Sequence, residues 1–161
     1  MLNIRIAGIT DIPLIRELTL RIWPETYSPI LSEKQIVYML DMMYSEASLT
    51  SQFNNGHTFI LTYKGDEPVG FASWSGPIDT IFRLHKIYIL PQQQGSGIGK
   101  YMIDYIVNAL KRDDYCLELN VNRYNKAKFF YEKLGFEVYR EEDIDIGSGY
   151  FMNDYVLRYR L

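Results

Sequence analysis

The stretch Gln94-Gly95-Ser96-Gly97-Ile98-Gly99 places three glycines within five residues and constrains this chain more than any other segment. It follows the apolar run Leu84 to Leu90, a strand that Pro91 ends. It precedes a segment in which Ile98, Met102, Tyr105, Ile106 and Ala109 recur at helical spacing. Glycine lets the backbone turn successive N–H groups towards one point and leaves no Cβ in the way of a ligand. The start of the following helix adds roughly half a positive charge. Strand, glycine loop and helix in this order make a seat for phosphate oxygens.

Two other phosphate loops do not fit. A Walker loop requires glycine five residues before the Gly-Lys pair and Ser or Thr after it, where this chain has Gln94 and Tyr101. A dinucleotide fingerprint begun at Gly95 requires glycine where Lys100 stands, and the loop falls too late for a first βαβ turn.

The flanking segments supply the remaining elements. Asn3 to Ala7 alternate as a short strand. Thr10 is placed to cap a helix with Pro13 in its first turn and a stripe of Ile12, Ile15, Leu18 and Ile22, which Trp23-Pro24 ends. Ser32 and Gln35 form a capping-box pattern for a second helix, striped by Ile36, Leu40, Met43 and Ala47. His57 to Tyr63 and Val69 to Trp74 flank Lys64-Gly65-Asp66-Glu67-Pro68 and predict a hairpin. After the helix that runs from Gly97 to about Arg112, Leu117, Leu119 and Val121 alternate with Glu118 and Asn120 as a strand. A helix from Asn125 to Leu134 stops at Gly135, with Phe136 available to pack back. Strands near Phe136 to Arg140 and Tyr150 to Tyr159 close the chain. The order β-α-α-β-β-β-α-β-α-β-β predicts an α/β fold, a mixed central β-sheet with helices on both faces. No linker divides residues 1–161, which read as a single domain.

Composition narrows the partners. A net charge of −3 and a pI near 5.4 leave no footprint for nucleic acid and suit a cationic small substrate better than an anionic one. The single cysteine, Cys116, excludes an intrachain disulfide and a thiolate zinc cluster, and with two histidines no metal site is expected. Cys116 lies in an apolar strand pattern, the setting of a buried, inert thiol. Fourteen tyrosines suit a partly wet cleft or an interface. No apolar run approaches membrane-spanning length and no leader pattern opens the chain, so a soluble cytoplasmic protein is expected, with no membrane partner.

The later block Asn125-Lys126-Ala127-Lys128-Phe129-Phe130-Tyr131-Glu132-Lys133-Leu134-Gly135-Phe136 completes a pattern begun at Gln94, Gly97 and Gly99, with Gly95 and Lys100 also typical. Together the two blocks, in this order, resemble the GNAT family of N-acetyltransferases, and the element order extends the resemblance over nearly the whole chain. It implies the GNAT fold, a sheet whose central strands splay apart with acetyl-CoA in the gap. It also implies that Ile87, Tyr88 and Ile89 offer backbone groups to the pantetheine arm. The pyrophosphate would lie on Gln94, Gly95, Ser96, Gly97, Ile98, Gly99 and Lys100, and Asn125 would reach the cofactor from the other side. Asn120, Phe130 and Lys133 join this cofactor-binding set. Tyr131 would stand near the thioester sulfur as general acid, although periodicity alone places it in a core stripe with Ala127, Phe130 and Leu134.

Acetyl transfer to an amine needs a neutral nucleophile, a polarised thioester and a proton for the leaving thiolate. In many relatives a glutamate on the strand before the loop removes the amine proton, but Arg83-Leu84-His85-Lys86 holds no carboxylate. His85, which titrates near neutrality, is the catalytic candidate, with Glu118 and a water chain as alternatives. Trp23, Glu25 and Tyr27 combine aromatic faces with a carboxylate, as substrate-binding residues for a cationic amine would, or they form only a helix-ending turn. Likeness of the first-helix region, Ile87-Tyr88-Ile89 and Gly147 to Met152 to a bacterial polyamine-acetylating subgroup implies a small polyamine-like primary amine. Asp143, Asp145 and Asp154 would add charge near its channel or decorate the surface. The alternatives are a protein or peptide N-acetyltransferase and a non-catalytic acyl-CoA-binding sensor. Homodimers are common in the family.

Overall fold

A computed structural model describes all 161 residues. After β1 (Leu2–Ile6), the carboxylate of Asp11 accepts the Gly8 N–H at 2.9 Å and pairs with Arg5 at 2.8 Å, closing a 3-10 turn. That turn, rather than a Thr10 cap, launches α1 (Ile12–Tyr27), with Pro13 in its first turn as expected. The helix does not stop at Trp23-Pro24. Pro24 forfeits one bond, to the carbonyl of Leu20, whose residue is 59% exposed and therefore reached by water. Trp23, 2% exposed, and Tyr27, its ring 4.5 Å away, are anchored in the interior and carry the helix past the proline.

The expected second helix is two. Ser45 is extended (φ −62°, ψ 155°), ends α2 (Glu33–Tyr44) and caps α3 (Glu46–Asn54) by accepting the Ser48 N–H at 3.1 Å. At the start of α2, Ser32 accepts the Gln35 N–H as the capping pattern predicts. The Gln35 amide, instead of returning to the cap, donates to the Phe151 carbonyl at 2.7 Å.

The strands β2 (Thr58–Lys64), β3 (Glu67–Ile78), β4 (Ile81–Ile89), β5 (Cys116–Asn122), β6 (Glu137–Gly147) and β7 (Tyr150–Arg160) join β1 in one sheet, ordered β1-β2-β3-β4-β5-β7-β6. Cys116, expected to be buried, is half-buried at the start of β5. Between β4 and β5 lies α4 (Ile98–Leu110), whose buried face carries Ile103 where Ala109 was expected. Between β5 and β6 lies α5 (Ala127–Lys133).

Only β4 and β5 run parallel, and they pair over four positions, Ile81↔Cys116 to Leu84↔Leu119. Beyond Leu84, β4 continues against β3 alone, from Lys86↔Ser73 to Ile89↔Gly70. Beyond Leu119, β5 continues against β7 alone, from Asn120↔Val156 to Asn122↔Asp154. The sheet therefore opens as a wedge with its apex at Leu84 and Leu119.

At its far side the two halves meet again. The Tyr38 hydroxyl on α2 donates to the Ile146 carbonyl at 2.5 Å, and Tyr44 of the same helix packs on Phe71 of β3. Gly147 (φ 92°) makes this close approach feasible, since a Cβ there would lie 2.7 Å from the Tyr38 oxygen.

Candidate active site

The wedge encloses a cavity of about 800 Å³. The Leu90 N–H is spent on the Val69 carbonyl at 2.9 Å. By strand alternation the amide groups of Ile89 and Ile87 then point the other way, into the gap where no strand meets them. At the mouth, Gly95 (φ 81°) and Gly97 (φ 85°) hold left-handed conformations, and Gly97 caps α4 without any side chain. The Tyr101 N–H bonds the Gly97 carbonyl at 3.1 Å, so the amides of Ile98, Gly99 and Lys100 have no partner within the helix. Three free donors and the helix dipole converge on one spot.

Tyr131 is positioned by the end of α5. Gly135 (φ 106°) donates to the Glu132 carbonyl and Phe136 to the Tyr131 carbonyl, both at 3.1 Å, forming a Schellman turn. The Phe136 ring packs edge-on against Tyr131 at 5.7 Å, so the expected pack-back is present. Tyr131 is 8% exposed and lines the cavity wall. Burial, and then the neighbouring Tyr27, raise its pKa well above the ordinary phenol value, which keeps it protonated at neutral pH. Asn125, also on the wall, accepts the Ala127 N–H at 2.9 Å and so starts α5.

Of the residues singled out in the sequence, the cavity brings together Tyr131, His85, Ile87, Tyr88, Ile89, Gln94, Gly95, Gly97, Gly99, Lys100, Asn120, Asn125, Phe130 and Tyr27. Five others lie off its walls. Ser96 turns its hydroxyl to the Gln93 carbonyl, and Ile98 points into the core. Lys133 is exposed on the outer side of α5. Trp23 lies beneath the wall, packed on Tyr27, Tyr44 and Tyr88, and Glu25 is exposed. The supposed amine site of Trp23, Glu25 and Tyr27 thus reduces to Tyr27, whose hydroxyl meets that of Tyr88 at 3.0 Å. Continuation of α1 through Pro24 is the reason, since it leaves Glu25 on the solvent side.

The candidate bases fare differently. Glu118 is buried between Arg83 and Arg158, each at 2.7 Å, with Arg140 at 3.5 Å, and does not line the cavity. Its carboxylate is occupied, so it is no base for the amine. His85 is on the wall, its Nε2 2.6 Å from the Ser75 hydroxyl and its ring stacked on His57 at 4.2 Å. Desolvation, then the charges of His57, Lys86 and Arg83, hold its pKa below the ordinary value, leaving a neutral imidazole at pH 7. Asp154 is buried behind Asn120, which donates to it at 3.1 Å; burial raises its pKa. Asp143 pairs with Arg123, and Asp145 accepts the Gly147 N–H, so neither carboxylate serves the cavity.

Lys86 was missed. It lines the cavity at 7% exposure, its Nζ 4.9 Å from the centre of the Tyr44 ring. No carboxylate pairs with it, and burial lowers its pKa to about 8. The signal was present in the strand: Phe82, Leu84 and Lys86 alternate on one buried face, so a cation occupies an apolar position.

A sheet parted between its parallel strands beside a glycine-capped helix defines an acyltransferase cleft. The chain matches the acetyltransferase (GNAT) domain family over residues 28–151 and belongs to that family. It is an acetyltransferase of GNAT type. Among solved structures, the PaiA N-acetyltransferase of Thermoplasma acidophilum in complex with coenzyme A is 25% identical, with a TM-score of 0.81 over 100% of this chain and 99% of that one. An uncharacterized N-acetyltransferase of Mycobacterium tuberculosis is 28% identical over 153 residues, 92% of this chain and 97% of that protein. The ribosomal protein bS18 alanine N-acetyltransferase of Haemophilus influenzae is 34% identical over 89 residues, 55% of this chain and 57% of that protein. No helix is long and apolar enough to cross a membrane.

Proposed function

We propose that this chain transfers an acetyl group from acetyl-CoA to a small primary amine by direct attack in a ternary complex. The observation that carries the proposal is the wedge itself, with unpaired α4 amides at its mouth and protonated Tyr131 on its wall. The residues fit the donor. Gly95 and Gly97 have open space where a Cβ would stand, and the inward amides of Ile87 and Ile89 match an arm that carries its own amides. Bound acetyl-CoA supplies the activated acyl group.

The chain's residues do the rest. The free amides of Ile98, Gly99 and Lys100 hold the pyrophosphate at the mouth. Leu84, Leu119, Val121 and Phe130 give the interior apolar walls that exclude water. Tyr131 keeps its proton on Oη for the departing sulfur. His85, neutral at pH 7 and bonded to the Ser75 hydroxyl through Nε2, is the group on the wall that would relay the amine proton through water, and its depressed pKa makes it a weak base.

The lining carries Lys86, Lys100 and Lys126 and no Asp or Glu, a field that favours an amine of low positive charge over a polycation. A second reading, acetylation of a protein N-terminus, draws on the 34% identity to the bS18 alanine N-acetyltransferase.

Thiol release from acetyl-CoA with simple amines, amino acids, spermidine and peptides tests both. Higher kcat/KM with small monoamines than with spermidine is expected. Release with peptides alone would establish the second reading. Tight CoA binding with no release for any acceptor would overturn transfer and leave an acyl-CoA sensor.

A further inference from the structure

Among the lysines and arginines of the chain, Lys86 is the buried one, and nothing in the protein neutralises it. Its ammonium has three donors, and no side-chain or backbone oxygen accepts from any of them. The Tyr44 ring offers only a π face. Directly across on β3, Ser73 pairs in register with Lys86, is fully buried, and leaves its hydroxyl without a partner. The Ser73 hydroxyl is thus buried and unsatisfied, and the Lys86 ammonium beside it opens on the cavity without an ionic partner, although buried lysines normally come with a counter-ion.

Depth excludes the phosphates as that counter-ion. Lys86 lies two residues beyond the apex pair Leu84↔Leu119, on the order of 7 Å along the strand. Ile89, whose carbonyl receives the Gln94 amide of the phosphate loop, lies about 10 Å further towards the mouth. The ammonium therefore serves the closed end, where the acyl group and the amine meet. His57 and His85 also feel its positive charge, and no Asp or Glu lines the cavity.

We propose that Lys86 binds a carboxylate of the acceptor, and that the substrates are primary amines carrying a carboxylate, of the amino-acid class. The proposal rests on the acetyl-transfer reading given above and narrows its acceptor. The same ammonium would also receive the distal carboxylate of a dicarboxylic acyl donor, and the experiment separates the two sources.

The test compares 4-aminobutanoate with butylamine, each with acetyl-CoA, in the wild type, Lys86→Met and Lys86→Arg. The ratio of the two kcat/KM values is the readout. In the wild type it is expected to favour the carboxylate by about tenfold or more, chiefly through KM. It should collapse towards unity in Lys86→Met and survive in part in Lys86→Arg. A ratio unchanged by Lys86→Met overturns the proposal, including the case where both rates fall together, which would make Lys86 a proton acceptor. A preference for succinyl-CoA over acetyl-CoA with butylamine, lost in Lys86→Met, would move the carboxylate to the donor and overturn the acceptor assignment. Calorimetry of 4-aminobutanoate with the protein–CoA complex decides the point without turnover. Weakening of about tenfold in Lys86→Met supports the site, and equal binding overturns it. Binding that depends on Lys86 with no turnover of any amine would sink the acetyl-transfer reading and leave the carboxylate site standing.

Discussion

A Cβ on Gly99 would stand 2.8 Å from Cζ of the Phe130 ring and 3.3 Å from the Ile89 side chain, so α4 meets α5 and β4 through a residue with no side chain. Gly99→Ala should cost about 1–3 kcal/mol, the usual penalty for overpacking, and should weaken CoA binding because the phosphate-loop helix must shift. Urea unfolding and CoA titration measure the two effects. Phe130→Leu in the alanine background should restore part of both; an alanine variant with wild-type stability and affinity would show that the contact has slack.

Tyr131→Phe retains the Schellman turn and the ring contacts with Phe130 and Phe136. Stability should change by less than about 1 kcal/mol. If Tyr131 donates the proton to sulfur, kcat should fall on the order of a hundredfold with the KM for acetyl-CoA nearly constant. Steady-state kinetics at saturating amine provide the check, and an undiminished kcat would remove the tyrosine from the chemistry.

Glu118→Gln should lose about 3 kcal/mol, since three arginines would face a neutral partner in a buried position. Because the carboxylate does not line the cavity and is held by arginines, the limbs of the pH–rate profile should stay in place. Thermal unfolding and a pH–rate series separate the two statements; a displaced limb would return Glu118 to the list of bases.

Lys86 has a folded pKa of about 8 against 10.5 for the free side chain, depressed by burial. Between these values the unfolded chain binds more protons, so stability should climb as pH rises from about 8 to 10.5 and be lost as pH falls back through 8. Tyr44 from α2 faces the ammonium, while His57 before β2 and His85 on the other face of β4 interact with it only through its charge, and no acid offsets the burial. Lys86→Met should flatten that climb and add up to roughly 3 kcal/mol at neutral pH. Urea midpoints of both proteins across this range give the difference directly; parallel curves would contradict it.

The glycine loop and the helix ending at Gly135 were legible in the chain because both depend on local demands, a positive φ and a helical period. Pro24 misled for the opposite reason. A missing N–H is a local loss of one bond, and it was outweighed by burial of Trp23 and Tyr27, which only the tertiary structure decides. Ser45 was hidden because Ala47 continues the stripe of the preceding helix in phase, so one residue both ends and caps without any break in periodicity. The parting of β4 from β5 is a matter of register between distant segments; only the family resemblance anticipated it. His85 drew attention by its residue type, whereas Lys86 needed the strand's inward face to be read position by position.

The hydroxyl of Tyr38, bonded to the Ile146 carbonyl, gives the open sheet a second point of attachment far from its apex. One jaw is β4 with the helices that ride on it, the other β5 with the β6–β7 hairpin, and four strand pairs form the pivot. A pair of jaws joined at both ends behaves as a fixed-gap gauge. The molecules it admits are selected first by thickness, before any charge or hydrogen bond is offered to them.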